Sequence, residues 1–214
     1  TGGAGLQLDL QVFALHGVHG MAVPTALTSQ STRGVEQVLP AFPNVVEEQL
    51  RVLLSDLEPA AIKIGMLASD DIVLRVARIL EPYPGPIVID PVLCASDGTR
   101  LLERRAIPNL RSRLIAGATL VTPNLEEAAT LSGCTDPLEA AQSLLELVAE
   151  AVLVKGGHSD GNPDDLLATA SGSQWLRGRR SHSGPVHGTG CALSAAIAAR
   201  LARGGSLLES CLLS

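Results

Sequence analysis

The residues best suited to chemistry form a glycine-rich turn ahead of an alanine-rich stretch, His187-Gly188-Thr189-Gly190-Cys191. Small residues before a helix let backbone N–H groups converge on an anion at its positive end. Gly188, Thr189 and Gly190 are therefore predicted to form an anion site that suits a phosphate. Cys191 would lie in the first helical turn, where the same field favours a thiolate or proton handling. The alternative is an ordinary helix start with a small apolar cysteine.

Charged and polar side chains also follow three short apolar runs that are predicted strands. Asp90 ends the most apolar run, and ligands of open parallel sheets lie outside the carboxyl ends of the strands. Asn124 and Glu127 follow a second run, on one face of a starting helix, where they can hold Mg²⁺ through water. Lys155 ends a third run and suits a phosphate. The structural alternatives are a turn-forming Asp-Pro, an N-cap with its capping-box partner and a solvated lysine.

A second glycine cluster, Gly2-Gly3-Ala4-Gly5, precedes a predicted helix that carries Asp9. Such a turn can form the floor of a pocket with a carboxylate facing a polar ligand, although glycine here can also serve only the turn itself. An anion hole, a cation and carboxylates, without a GxxxxGK[ST] loop or a protein-kinase HRD or DFG signature, indicate phosphoryl transfer from a nucleotide on a non-P-loop scaffold.

Composition limits the remaining possibilities. The 214 residues are 46% hydrophobic, which allows a substantial core. A net charge of −6 and only 2% aromatic residues give no basic surface or stacking rings for nucleic acid. The sequence contains no apolar run long enough for a membrane span and no signal segment. Four cysteines without metal or disulfide spacing favour a reducing cytoplasm.

The elements that must position these residues alternate as βαβ units, so we expect an α/β fold with a mostly parallel central sheet covered on both faces by helices. The predicted strands are Gly20–Thr28, Ala61–Met66, Pro86–Asp90, Ala118–Thr122 and Ala151–Lys155, with a hairpin at Leu166–Ser171 and Gln174–Ser181. The predicted helices are Gly5–Leu15, Val45–Leu57, Asp70–Leu80 capped by Asp70, Leu125–Ser132, Pro137–Glu150 and Gly188–Leu201. We expect one domain over residues 1–214, without its first strand and its C-terminal end.

Seven motifs, in order and at the expected spacing, make the chain resemble the ribokinase-like superfamily, and within it the hydroxymethylpyrimidine/phosphomethylpyrimidine kinases. They are GGAGLQLDL near the start, TALTSQSTRGV at 25–35, KIGML at 63–67, IDPVL at 89–93, TPNLEEA at 122–128, VKGGH at 154–158 and HGTGC at 187–191. The resemblance implies a kinase of thiamine biosynthesis. It would use Mg-ATP to phosphorylate 4-amino-5-hydroxymethyl-2-methylpyrimidine and then the monophosphate.

The resemblance also implies roles for individual residues. Asp9, Gln30 and Met66 would line the pyrimidine pocket, with Gly3 and Gly5 in its floor.

On the phosphate side of the site, the resemblance assigns Asp90 and Glu127 to Mg²⁺, and Asn124 and Lys155 to the phosphates. Cys191 would take the place of the aspartate base of sugar-kinase relatives, beside the anion hole.

Other readings remain open at this point. A pyridoxal kinase would use the same machinery on a pyridine alcohol, and a non-catalytic protein could keep the fold and bind the pyrimidine phosphate. The resemblance further implies a homodimer with a small-molecule substrate, and neither nucleic acid nor a membrane is expected as a partner.

Overall fold

A computed structural model describes residues 2–31, 33–147, 150–156, 163–178 and 188–214. His158, which ends the motif VKGGH, and His187, which begins HGTGC, lie outside these ranges, as do residues 179–181 of the predicted hairpin. No helix within the described ranges is both long and apolar enough to cross a bilayer.

A six-stranded sheet forms the centre of the molecule, with strand order β3-β4-β5-β6-β7-β8. The first four of these strands run parallel, and β7 and β8 add antiparallel neighbours. Their bounds are β3 Ile62–Ile64, β4 Ile87–Ile89, β5 Leu120–Val121, β6 Ala151–Val154, β7 Asp165–Thr169 and β8 Gly172–Leu176. The predicted parallel core strands and the β7–β8 hairpin are confirmed, although the strands are shorter than predicted.

Helices cover both faces of the sheet, which explains why β4 and β6 are apolar and buried at every position. On one face, Ile87 and Ile89 pack in a core with α2, α3, α5 and α6. On the opposite face, Val88 packs against α7 and α8, and α1 packs against α7. The alternation along β4 confirms the three-layer α/β fold.

Five of the six predicted helices agree with the structure to within two residues at each end, and two short helices, Ile107–Asn109 and Leu207–Leu212, were not predicted. The helix bounds are α1 Gly5–Leu15, α2 Pro43–Asp56, α3 Asp70–Leu80, α4 Ile107–Asn109, α5 Leu125–Ser132, α6 Pro137–Leu145, α7 Thr189–Ala202 and α8 Leu207–Leu212. Short helical turns at Arg104–Ala106, Leu110–Leu114 and Ile115–Gly117 flank α4.

Two helix predictions are wrong in detail. The N-cap of α3 is Ser69 rather than Asp70, because the Ser69 side chain accepts the N–H of Ile72 while Asp70 is already helical. Helix α6 ends at Leu145 instead of continuing to Glu150.

The strand predicted at Gly20–Thr28 is also displaced. The structure has β1 at Ala26–Ser31, paired antiparallel with β2 at Gly34–Pro40, outside the central sheet. Residues 18–25 form no strand, since no strand in the described ranges lies beside them to complete a hydrogen-bonded ladder.

Candidate active site

The glycine turn and the start of α1 meet at the carboxyl ends of the parallel strands. Gly188 precedes α7 with a left-handed φ of 85°, and a Cβ added there would overlap the carbonyl oxygen of Gly3. A Cβ at Gly190 would come within 2.9 Å of Lys155 Nζ. Gly188 is therefore required by its left-handed backbone and by the close approach of Gly3, whereas a Cβ at Gly190 would displace the end of the Lys155 side chain. The first N–H groups of α7 have no side-chain cap among the described residues. They remain available for an anion.

Cys191 lies between the N-termini of two helices. It is the third residue of α7, and the N–H of Gly5, the first residue of α1, lowers the pKa of its thiol. Burial nevertheless raises the pKa of the thiol, with further upward contributions from the charges of Asp90 and Asp9. The sequence predicts that the helix field favours a thiolate or proton handling at Cys191. In the structure the pKa of the thiol is raised instead, because burial disfavours the charged form.

Asp9 projects from the same face of α1 as Gly5, one helical turn further along. Its Oδ2 accepts a hydrogen bond from Lys63 Nζ at 2.7 Å, in an ion pair whose lysine side chain is only 3% exposed. Its Oδ1 is buried and has no hydrogen-bond partner among the described residues. Burial raises the pKa of Asp9, whereas the charge of Lys63 opposes the shift. The free oxygen is thus placed to accept a donor from a ligand.

Asp90 is a second buried carboxylate, at the end of β4. Lys155 Nζ donates to its Oδ1 at 2.7 Å, and Ser194 Oγ lies 3.3 Å from its Oδ2. Burial alone would raise the pKa of Asp90, but the charges of Lys155 and Lys63 hold it below its ordinary value. The carboxylate is therefore ionised and gives the centre of the site a fixed negative charge.

Asn124 and Glu127 form the capping box of α5, as the structural alternative predicts. The Asn124 side chain accepts the N–H of Glu127, and Glu127 Oε2 accepts the N–H of Asn124 at 2.9 Å. Glu127 Oε1 also accepts the N–H of Leu93 at 3.3 Å. Burial raises the pKa of Glu127 to about 7, with Asp90 adding to the shift and Lys155 opposing it.

Gln30 and Met66 line the same cavity as Cys191 and these strand ends. Gln30 is half-buried in β1, and the backbone oxygen of Met66 accepts the hydroxyl of Thr25. Together with Gln30, Asp9 and the strand ends, Met66 lines one cavity of about 1770 Å³.

All the site residues predicted from the sequence line this cavity except Gly3, whose carbonyl packs under the glycine turn. No group of three or more His, Cys, Asp or Glu side chains with metal-binding geometry occurs in the part of the chain that is described.

Sequence reasoning missed two buried polar residues of this centre. Lys63 sits between two isoleucines of β3, whose side chains pack into the core on the other face, so Lys63 points towards α1 and α7. Ser194 is fully buried on α7, between Asp90 and the backbone oxygen of Cys191. A lysine inside an apolar strand was a signal that could have been used.

The three-layer fold, with an anion turn, a lysine and two carboxylates at the strand ends, defines a kinase of the ribokinase-like class. The family described as phosphomethylpyrimidine kinase matches residues 1–212, and the chain belongs to this family. The hydroxymethylpyrimidine/phosphomethylpyrimidine kinase of Streptomyces coelicolor is 41% identical over 96% of this chain and 78% of its own length.

Two solved structures are similar along almost the whole chain. The phosphomethylpyrimidine kinase of Clostridium difficile superimposes with a TM-score of 0.86 and 34% identity, over 99% of this chain and 90% of that one. An ADP complex of Bacillus subtilis pyridoxal kinase gives a TM-score of 0.89 and 31% identity, over 98% and 83%.

Proposed function

We propose that this protein transfers the γ-phosphoryl group of ATP to the hydroxymethyl group of 4-amino-5-hydroxymethyl-2-methylpyrimidine, and then phosphorylates the monophosphate, as a step of thiamine biosynthesis. The observation that carries the proposal is the position of Cys191, at the meeting point of two helix N-termini and inside one cavity with Asp9 and Lys155. Membership of the phosphomethylpyrimidine kinase family supports it.

The nucleotide phosphates are assigned to the phosphate side of the cavity, which we define as Asp90, Asn124, Glu127 and Lys155. Lys155 is 13% exposed at its side chain and lies next to Gly190 of the anion turn. A lysine and free helix N–H groups stabilise the charge that spreads over the transferring phosphoryl group.

Mg²⁺ is proposed to arrive with the nucleotide and to be held by Asp90 and Glu127 through water. The oxygens of both carboxylates already accept hydrogen bonds from Lys155, Ser194 and backbone N–H groups, which leaves second lone pairs for water-mediated contacts. When bound, the ion would neutralise charge on the phosphates.

The pyrimidine is assigned to the acceptor side, which we define as Gly5, Asp9, Gln30 and Met66. The unpartnered Oδ1 of Asp9 suits an amino group of the ring, because a buried acceptor without a partner is costly unless a ligand supplies the donor. The Gln30 amide can donate to a ring nitrogen or accept from the amino group, and Met66 offers apolar contact.

Cys191 is proposed to accept the proton of the acceptor hydroxyl. The acceptor oxygen bonds to the γ-phosphorus while the bond from that phosphorus to the β–γ bridging oxygen breaks, and ADP departs with the electron pair. Since such transition states are loose, the proton moves late, when the hydroxyl has become acidic. The thiol then returns the proton to solvent.

Release of ADP with a panel of acceptors tests the proposal. We expect turnover with the hydroxymethylpyrimidine and with the monophosphate, at a kcat/KM at least tenfold above that with pyridoxal. A higher kcat/KM with pyridoxal would favour the second candidate function, a pyridoxal kinase. This candidate is supported by the structural similarity to such an enzyme, with a TM-score of 0.89. Pyrimidine-phosphate binding without ADP release would instead support a non-catalytic binding protein.

A homodimer in the cytoplasm completes the proposal. Four free cysteines suit a reducing compartment. An exposed apolar surface on the β1–β2 hairpin and the start of α2, formed by Leu27, Leu39, Phe42 and Val45, offers an interface for a second copy. Sedimentation at micromolar concentration would test the oligomeric state.

A further inference from the structure

Lys63 is a buried cation to which the proposed mechanism gives no task. Its side chain is 3% exposed, and its described hydrogen bond goes to Asp9. The backbone around it is tight, since a Cβ at Gly65 would lie 3.2 Å from Lys63 Nζ. Burying an ammonium group is costly unless negative charges compensate it, so its location requires an explanation beyond packing.

The surroundings of Lys63 explain its charge. Burial would lower the pKa of Lys63, but the charges of Cys191, Asp9 and Asp90 together hold it above its ordinary value. Lys63 is therefore an ammonium ion at all working pH values. Burial raises the pKa of the Cys191 thiol above its ordinary value, so the negative charge that faces Lys63 from Cys191 depends on loss of the thiol proton.

Four charged side chains that line the same cavity as Cys191 come from separate elements of the fold. Asp90 after β4 and Asp9 on α1 disfavour the thiolate, whereas Lys63 on β3 favours it, as does the N–H of Gly5. Lys155 after β6 also interacts with the thiolate, but Lys155 forms an ion pair with Asp90. Without Lys63, the sulfur would face two carboxylates with little opposing charge.

We propose that Lys63 is a positioning residue of the reaction: its ammonium group, held by Asp9, supplies the positive charge that stabilises the Cys191 thiolate when the sulfur takes the acceptor proton. The inference rests on the proposed function of Cys191 as the base. Before the sulfur can accept a proton it must give its own to water, and a nearby cation increases the fraction of protein that has done so. Asp9 thereby serves both the acceptor and the base, through different oxygens.

The test is the pH dependence of Cys191 alkylation by iodoacetamide in the substrate-free protein, followed by peptide mass spectrometry. Lys63→Met removes the charge at nearly constant volume, and we expect the Cys191 alkylation rate at pH 8.5 to fall at least tenfold, which corresponds to about one unit of pKa. Cys134, which lies after α5 and outside the cavity, serves as the internal reference and should keep its rate.

Asp9→Asn is the matched variant because it breaks the same ion pair with the opposite electrostatic effect. Loss of a negative charge next to Cys191 should raise its alkylation rate at least twofold, whereas damage to the fold would affect both variants alike. A slower Cys191 alkylation in Lys63→Met together with a faster one in Asp9→Asn supports the inference, even if Lys63→Met is less stable than the parent. Loss of stability alone would not change the two alkylation rates in opposite directions. A Lys63→Met rate within twofold of the parent, or changes of the same sign in both variants, would overturn it.

Turnover separates this inference from the proposed function. With Lys63→Met we expect kcat to fall about tenfold at pH 7.5 and to recover as the pH rises, while the KM for ATP stays within twofold. If Cys191→Ala turns over normally, the thiol is not the base, and the proposed mechanism fails. The alkylation rates still decide whether Lys63 controls the ionisation of Cys191.

Discussion

The two sides of the cavity are built on different principles. On the phosphate side, the carboxylate oxygens of Asp90 and Glu127 already have protein partners, and both side chains are almost fully buried. On the acceptor side, Asp9 keeps one buried oxygen that has no partner in the part of the chain that is described, and Gln30 is half-buried on a hairpin outside the central sheet.

This difference indicates where the protein is preorganised and where the ligand completes it. The phosphate side rests on parallel strand ends and a capping box, which hold their polar groups before any nucleotide binds. The acceptor side rests on α1 and β1, and under the proposal a ligand supplies the donor that the buried oxygen of Asp9 lacks among the described residues. Chemistry should therefore depend on the first side, and acceptor choice on the second, and Cys191 lines the same cavity as both.

The largest expected effect comes from the residue at the junction. Cys191→Ala removes the proposed base and leaves the residues of the phosphate side and the acceptor side unchanged. We therefore expect kcat to fall about 10²- to 10⁴-fold, the usual range for general-base catalysis. Affinity for the ATP analogue AMP-PCP, measured by calorimetry, should remain within twofold. Cys134→Ala is the matched control and should keep full activity. Near-normal turnover of the Cys191 variant would remove the sulfur from the mechanism.

The next effect concerns the contact between the glycine turn and α1. Gly188→Ala places a Cβ on a backbone with a left-handed φ of 85°, and this Cβ would also overlap the carbonyl oxygen of Gly3. Gly204→Ala is a close control, because Gly204 has a φ of 81° but open space around the added Cβ. The left-handed backbone alone costs about 1–2 kcal/mol. Urea unfolding should show Gly188→Ala to be less stable than Gly204→Ala by at least about 2 kcal/mol, and equal losses would argue against the close contact.

Much of the phosphate side could be predicted from the sequence because its rules are local. A buried run followed by Asp90 or Lys155 marks a strand end, and Asn124 with Glu127 three residues later marks a helix start. These rules use neighbouring residues only, and the structure keeps each feature where the sequence indicates it.

The parts that escaped prediction depend on contacts between distant elements. Lys63 donates a hydrogen bond to Asp9, which is 54 residues away in the sequence, and Ser194 donates one to Asp90, which is 104 residues away. The ionisation of Cys191 was predicted in the wrong direction because the helix field is visible in the sequence, whereas burial is not. Strand β2 was missed because Gly34–Pro40 pairs only with the β1 hairpin and lacks the apolar pattern of a core strand.

The phosphate side should also respond to pH through Glu127. Its pKa of about 7 in the folded protein exceeds the ordinary value of 4.5, so folding favours the protonated form. The stabilisation is complete below about pH 4.5 and is lost as the pH rises through 7, a change on the order of 3 kcal/mol. Urea unfolding between pH 5 and 8 should show this decline. It should be absent in Glu127→Gln and present in Glu126→Gln, which alters an exposed neighbour; a decline that persists without Glu127 would assign it to another group.

The smallest effect should come from the acceptor side, where a single neutral hydrogen bond is at stake. Gln30→Ala removes one amide from the half-exposed wall of the cavity, a loss of about 0.5–1.5 kcal/mol. The KM for the hydroxymethylpyrimidine should therefore rise about three- to tenfold, while kcat and the KM for ATP change less than twofold. Gln37→Ala, on the exposed part of the paired strand β2, should leave all three unchanged. A fall in kcat with Gln30→Ala would mean that the hairpin contributes to the chemistry, and the division between a catalytic and a selective side would no longer hold.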